Sequence, residues 1–339
     1  MSSDLQADRV PFRRSLAGRI LLYGGLPSAA IMAVVTVFVA FSLLANQRET
    51  LENTLTQAAE QVAAEIDRGN TKAVMASTIM ALAQQRGMFG DRVESTAYAR
   101  EVLDSFPEFT GAYFGYEPDA DGADAEFLKS SEAEGVREGL DDKGRFLPYW
   151  FRDIQLPGSL KLEPLVDMET SLYYRGVKEL YEKSGRAQWL ITEPYVYEGK
   201  MIVEQVYPIV IDGKFVGVAG VDRALDDIEF KLRRISIREE VEVFLISRSG
   251  RVIAASGASI DGFNTRDLTD TPYKDILGRL FALRAEPKLL LETDPISGEN
   301  SYFASSPIPT GDWLVVVSRP ELDLVAPLRA TLLPVIGVS

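Results

Sequence analysis

The chain contains no cysteine and no histidine in 339 residues. Without cysteine there are no disulfides, iron–sulfur clusters or thiolate zinc sites, which is compatible with an oxidising compartment without establishing one. Without histidine, Ser-His-Asp and Cys-His machinery, His-ligated metals and the usual general base near neutral pH are excluded. Carboxylate or lysine chemistry remains open, but no motif assembles a nucleophile, a base and an oxyanion site. No Gly-rich phosphate loop appears either. We therefore expect no catalytic residue, no metal and no cofactor. Basic residues are also scarce, with 36 Lys+Arg against 50 Asp+Glu and a net charge of −14. Phosphate recognition needs a basic footprint, so nucleic acid is not an expected partner.

The few basic residues are unevenly placed. Arg9, Arg13, Arg14 and Arg19 crowd the first residues, and no charge then occurs from Ile20 to Asn46. That run is long enough to cross the hydrocarbon core, which takes about 20 residues, and too long for the apolar core of a cleaved signal. Arginines before the span predict a cytoplasmic N-terminus at 1–19, a membrane helix at 20–46 and an exported remainder. The uncharged stretch Ala330–Ser339 reads as the start of a second span. Residues 47–326 are then expected on the periplasmic side of a bacterial inner (cell) membrane.

Outside the membrane, Leu51, Leu55, Ala58, Val62 and Ile66 recur at helical spacing. A second amphipathic stretch, Thr71–Gln85, continues the pattern after an interruption at Gly69-Asn70. Together they predict a stalk helix over 47–89, able to pair with a second copy in a homodimer. Strand signals follow at Phe109–Tyr116, Gln188–Val196, Met201–Ile211 and Phe215–Val221, with a helix at Tyr174–Ser184. Asp212-Gly213 marks a tight hairpin between two of these strands. The acidic run Asp119–Glu126 has the flavour of a calcium loop but lacks the full ligand spacing, and reads as a solvated loop. A helix at Leu225–Ile235 leads to a second module with strands at Val241–Ile246, Val252–Ala255, Lys288–Thr293, Ser301–Ser305 and Trp313–Ser318. Glu321–Leu332 reads as an exit helix. Antiparallel hairpins with segregated helices make the fold class α+β.

Four stretches carry a family resemblance: GRFLPYWFRD (Gly144–Asp153), EPLVDMETSLYY (Glu163–Tyr174), ITEPYVYEGKMIV (Ile191–Val203) and DGKFVGVAGVDRALDDI (Asp212–Ile228). With the order of elements, they make the chain resemble the double Cache (dCache) sensor domains of bacterial transmembrane receptors. The resemblance implies two tandem Cache (PAS-like) modules, a ligand-binding distal one at 90–235 and a proximal one at 236–320, with 321–339 leading back to the membrane. It also implies the input region of a methyl-accepting chemotaxis receptor, or of a sensor histidine kinase, diguanylate cyclase or phosphatase. A membrane-anchored carboxylate-dependent enzyme is the alternative of a different class.

The amino-acid-binding branch of that family uses an Arg-x-Trp-Tyr stretch, a Tyr-x-Asp pair and a later Asp. Here these positions match Ser171-Leu172-Tyr173-Tyr174, Tyr195-Val196-Tyr197 and Asp222. Only the last carboxylate is kept, which argues against that branch's mode of binding while leaving small-molecule sensing intact. Asp222 closes an apolar strand, so it either faces a polar pocket or caps the following helix. Tyr149, Trp150, Tyr173, Tyr174, Tyr195 and Tyr197 supply either core aromatics or the walls of an ammonium site. Arg152 and Arg145 flank Tyr149-Trp150 and either grip a ligand carboxylate or bond loop carbonyls. The expected ligand is an amine, an amino-acid-like molecule or an organic acid.

Overall fold

Short, largely apolar runs form two antiparallel sheets, and apolar stripes at helical spacing cover their faces. A computed structural model describes residues 16–321 apart from 131–134, 154–155, 157, 198–199, 258–262 and 264–265. The expected exit helix at 321–332 and the uncharged tail lie outside the described residues. The chain divides into two compact units, Met1–Thr54 and Leu55–Ser339.

Helical residues begin at α1 (Leu16–Ile20), followed by a π-helical turn at Leu21–Gly25 and by α2 (Leu26–Ala83), whose residues are shared between the two units. Leu21–Val39 has a mean hydropathy of 1.9 and none of it is buried. It is long and apolar enough to cross a membrane.

The second unit contains two sheets. The first has the order β3-β2-β1-β7-β6-β4, and β5 also pairs with β6. Its strands are β1 (Gly111–Tyr116), β2 (Pro148–Arg152), β3 (Leu160–Pro164), β4 (Leu190–Ile191), β5 (Tyr195–Tyr197), β6 (Lys200–Ile211) and β7 (Lys214–Ala224). The second has the order β10-β11-β12-β8-β9, built from β8 (Glu242–Ile246), β9 (Val252–Ser256), β10 (Lys288–Thr293), β11 (Asn300–Ile308) and β12 (Trp313–Pro320). All pairings are antiparallel. β2 and β3 fall where the sequence reads only as loop, because Pro148, Pro164 and the intervening glycine break the run.

One face of the first sheet packs against α2 and α3 (Arg92–Ser105), burying Ala73, Met80, Ala99 and Leu103 against Phe109, Phe114 and Val221. The larger of these side chains, Met80, Leu103, Phe109, Phe114 and Val221, each contribute about 1.5–3 kcal/mol by leaving water. The second sheet packs one face on Leu55, Val62 and Ile66 of α2 and on α6 (Leu225–Glu239). Its other face packs on α7 (Lys274–Ala282) through Leu277 and Leu280.

Two sequence expectations change. The helix does not break at Gly69-Asn70: α2 runs through both. Gly69 is there because the Arg223 guanidinium lies against it, and a Cβ would sit 2.9 Å from Nη2. Asn70 is there because its amide is used twice, as described below. The acidic loop is exposed at Asp119 and Glu126 but is anchored to the fold through Asp121 and Asp124. Arg92 donates to both oxygens of Asp121 at 2.8 and 2.7 Å, to Asp124 and to the Gly144 carbonyl. The Asp121 side chain is 4 % exposed, so an arginine fills the place a cation would take. The next residues form the single turn α4 (Asp124–Phe127).

Candidate functional site

The remaining face of the first sheet carries a cluster of tyrosines over two carboxylates. Its geometry starts at the β6–β7 turn. Asp212 and Gly213 adopt φ of 48° and 74°, the two positive values a type I′ hairpin needs, and pair Ile211 with Lys214. Between Ile209 and Val210 a bulge shifts the register by one residue. Beyond it Glu204 lies opposite Asp222, and Asp222 opposite Gly111 on β1. An unbulged hairpin would set Glu204 opposite Val221, with the two carboxylates on opposite faces. The bulge brings them together.

Both carboxylates are buried, at 1 % exposure for Glu204 and 0 % for Asp222. The Tyr195 hydroxyl donates to Glu204 Oε2 at 2.5 Å, and the Glu204 amide donates to the Thr192 hydroxyl at 3.0 Å. Tyr113, wholly buried, packs edge-on against Tyr173 and Tyr149 with ring centroids 5.5 and 6.1 Å away. Tyr173 is pinned by its hydroxyl donating to the Val166 carbonyl at 2.7 Å. Gly111 leaves the space that this packing uses: a Cβ there would meet Asp222 Oδ2 and Tyr149 Cε2 at 2.5 Å each.

Burial, and then the neighbouring Asp222 carboxylate, hold Glu204 well above the usual carboxylate range. Burial followed by Glu204 and Asp222 likewise raises the Tyr113 and Tyr195 hydroxyls. Two carboxyls this close in a dry environment cannot both ionise without a cation. The face therefore suits a positively charged group held by carboxylate oxygens and ring faces.

Of the residues singled out in the sequence, Asp222, Tyr195, Tyr149 and Tyr173 meet here. Asp222 does not cap α6, whose N-cap is Ala224. Tyr174 stands apart: its hydroxyl donates to Glu117, and its ring lies under Lys178 and Arg145 at 5.6 and 5.5 Å. Tyr197 pairs with Lys200 on the β5–β6 ladder, but its side chain lies outside the described residues. Alternation along β2 sends Trp150 and Arg152 to the opposite face. Trp150 Nε1 donates to the Thr96 carbonyl at 2.9 Å, and Arg152 donates to the carbonyls of Phe109 and Leu103 at 2.8 and 2.6 Å. Arg145 donates to the Tyr116 carbonyl at 2.6 Å and to Glu169 at 2.9 Å.

Sequence reasoning missed Glu204 and Tyr113. A usable clue was present: Glu204 alternates with Ile202 and Val206, both buried on this face, so an acid sits where the period calls for an apolar residue.

Behind Asp222, on the same strand, Arg223 faces α2. It donates to Asn70 Oδ1 at 2.7 Å, and Asn70 Nδ2 donates to the Thr310 carbonyl of the β11–β12 turn at 2.8 Å. The Thr310 amide donates to Asp67 at 2.8 Å. Burial pushes Arg223 down to about 10.

Comparison with known proteins agrees with this architecture. The Cache domain model of the double Cache type matches residues 42–328. Methyl-accepting chemotaxis protein TlpQ of Pseudomonas aeruginosa is 27 % identical over 265 residues, covering 70 % of this chain and 34 % of that protein. The chain thus spans about a third of that relative's length. The extracellular domain of the putative histidine kinase mmHK1S-Z3 superposes with a TM-score of 0.65 at 26 % identity, covering 84 % of this chain and 98 % of that one. The ligand-binding domain of Pseudomonas fluorescens chemoreceptor CtaA, solved in complex with L-isoleucine, shares the fold at 17 % identity and a TM-score of 0.54, over 84 % of this chain and 99 % of that one. The chain belongs to the double Cache family of sensory ligand-binding domains.

Proposed function

We propose that the first-sheet module binds a small molecule through an ammonium group, at Glu204 and Asp222 beneath Tyr113, Tyr149, Tyr173 and Tyr195. The observation that carries this reading is the pair of buried carboxylates in cross-strand register. The side chains acting most strongly on Glu204 are Asp222, Tyr195 and Tyr113, none of them a cation. A bound ammonium supplies the missing charge. An amine or the amino end of an amino-acid-like molecule fits; an organic acid without an amino group does not.

The chain then serves as the extracytoplasmic input region of a transmembrane receptor, without catalysis of its own. The apolar stretch Leu21–Val39 supports anchoring in the bacterial inner membrane. The likeness to TlpQ supports a chemotactic output. The likeness to a histidine-kinase extracellular domain favours a second reading, a kinase output. Exposed Met75, Ile79 and Leu82 recur at helical spacing on α2 and support pairing with a second copy.

A thermal-shift screen of the whole chain in detergent against amines, amino acids and organic acids tests the ligand class. A ligand at 100-fold its Kd adds about 2.7 kcal/mol to stability. Stabilisation by amino-bearing compounds supports the reading; stabilisation only by acids lacking an amino group overturns it.

A further inference from the structure

The two carboxylates are more than one ammonium group needs for charge balance, and their placement has a chemical consequence. Glu204 on β6 and Asp222 on β7 face each other directly in the ladder, at 1 % and 0 % exposure. Among the described residues, the surrounding elements contribute Tyr113 from β1, Tyr149 from β2, Tyr173 from the turn before α5 (Val177–Ser184), Thr192 after β4 and Tyr195 from β5. Arg223, the neighbouring cation in sequence, is turned to the other face and engaged by Asn70. In this arrangement two ionised carboxylates would repel across a dry gap, so the ligand-free site retains a proton.

We propose that the ligand's ammonium group takes the place of a proton held between Glu204 and Asp222, so that one proton leaves for each cation bound. This rests on the ammonium reading of the site. The exchange balances: the Glu204 carboxylic acid becomes a carboxylate, its proton passes to the buffer, and the cation's N–H groups donate to the oxygens it vacates. Tyr195, which donates to Glu204 at 2.5 Å, is then the hydroxyl that must yield or share its acceptor. Burial and the adjacent Asp222 carboxylate favour the protonated form of Glu204 in the empty site, and a bound cation reverses that preference. Glu204 thereby acts as a specificity determinant. A group with N–H donors can replace the proton; a quaternary ammonium, which has none, cannot satisfy both carboxylates.

Two measurements on the whole chain in detergent test this. The first is calorimetric titration with n-butylammonium at pH 7 in two buffers of different ionisation enthalpy, with tetramethylammonium as the comparison. The second is infrared difference spectroscopy of the empty protein against Glu204→Gln. The expected results are release of close to one proton per n-butylammonium, tetramethylammonium binding at least tenfold weaker, and a protonated-carboxyl band that Glu204→Gln removes. Affinity for n-butylammonium should fall about tenfold for each pH unit below neutrality in the wild type and stay flat in Glu204→Gln. Binding with no proton released, or an empty protein without the carboxyl band, overturns the exchange while leaving the ammonium reading in place. If the carboxyl band is present but no alkylammonium binds, the ammonium reading fails and the exchange falls with it.

Discussion

Arg223 donates to Asn70 across the face of the sheet opposite Asp222, its neighbour in sequence. One step along β7 thus separates the candidate ligand site from a buried knot joining α2, the first sheet and the second module. Asn70 completes the knot by donating to the Thr310 carbonyl at 2.8 Å. A ligand that shifts β7 by binding Asp222 acts on this knot directly, and it can move the equilibrium only by its differential affinity for the two arrangements.

Removing Asn70 leaves a buried guanidinium short of an acceptor. Hydrogen bonds to charged groups contribute about 1.5–3 kcal/mol. Asn70→Ala is expected to lower unfolding stability by that amount in urea denaturation, and Asn70→Asp to retain more of it by offering Arg223 an anionic acceptor.

The two faces of the first sheet give a contrast in binding. Gly111→Ala places a Cβ 2.5 Å from both Asp222 Oδ2 and Tyr149 Cε2. It is expected to weaken ligand binding at least tenfold. Trp150→Phe, on the far face where Nε1 bonds the Thr96 carbonyl, is expected to cost about 1 kcal/mol of stability and leave Kd within twofold. Calorimetric Kd values for both variants check this, and equal effects would contradict the assignment of faces.

The stability of the empty protein should carry a pH signature from Glu204. Its folded value is raised above the unfolded value of about 4.3, so the folded state holds more protons. The group's contribution is fully present below the unfolded value and is lost as pH rises toward the folded value. Denaturation from pH 4 to 8 should show wild-type stability falling relative to Glu204→Gln, with a slope approaching one proton. A rising difference would contradict the assignment.

The β6–β7 hairpin was legible because Asp212-Gly213 names its turn, and Asp222 because a carboxylate closing an apolar strand needs a partner. The stripe Leu55, Val62, Ile66 likewise announced α2. What stayed hidden depended on events off the local pattern. The bulge that sets Glu204 opposite Asp222 has no turn motif of its own. Gly69-Asn70 resembles a helix stop until Arg223, far along the chain, is seen to occupy the space. Trp150 and Arg152 resemble ligand contacts beside Tyr149, but strand alternation turns them away. The family motifs carried the module order, which periodicity alone did not.

Self-association has a simple test because the chain contains no cysteine. Ile79 is 52 % exposed on α2. Ile79→Cys is expected to yield a disulfide-linked dimer of the whole chain in membranes under mild oxidation, whereas Glu94→Cys, on the exposed face of α3, should not.

The most direct measurement is a crystal structure of the protein with a bound amino-bearing ligand from the screen. The account predicts the ligand nitrogen within about 3 Å of oxygens from both Glu204 and Asp222. A nitrogen seated elsewhere, with those two carboxyls still facing each other undisturbed, would contradict it.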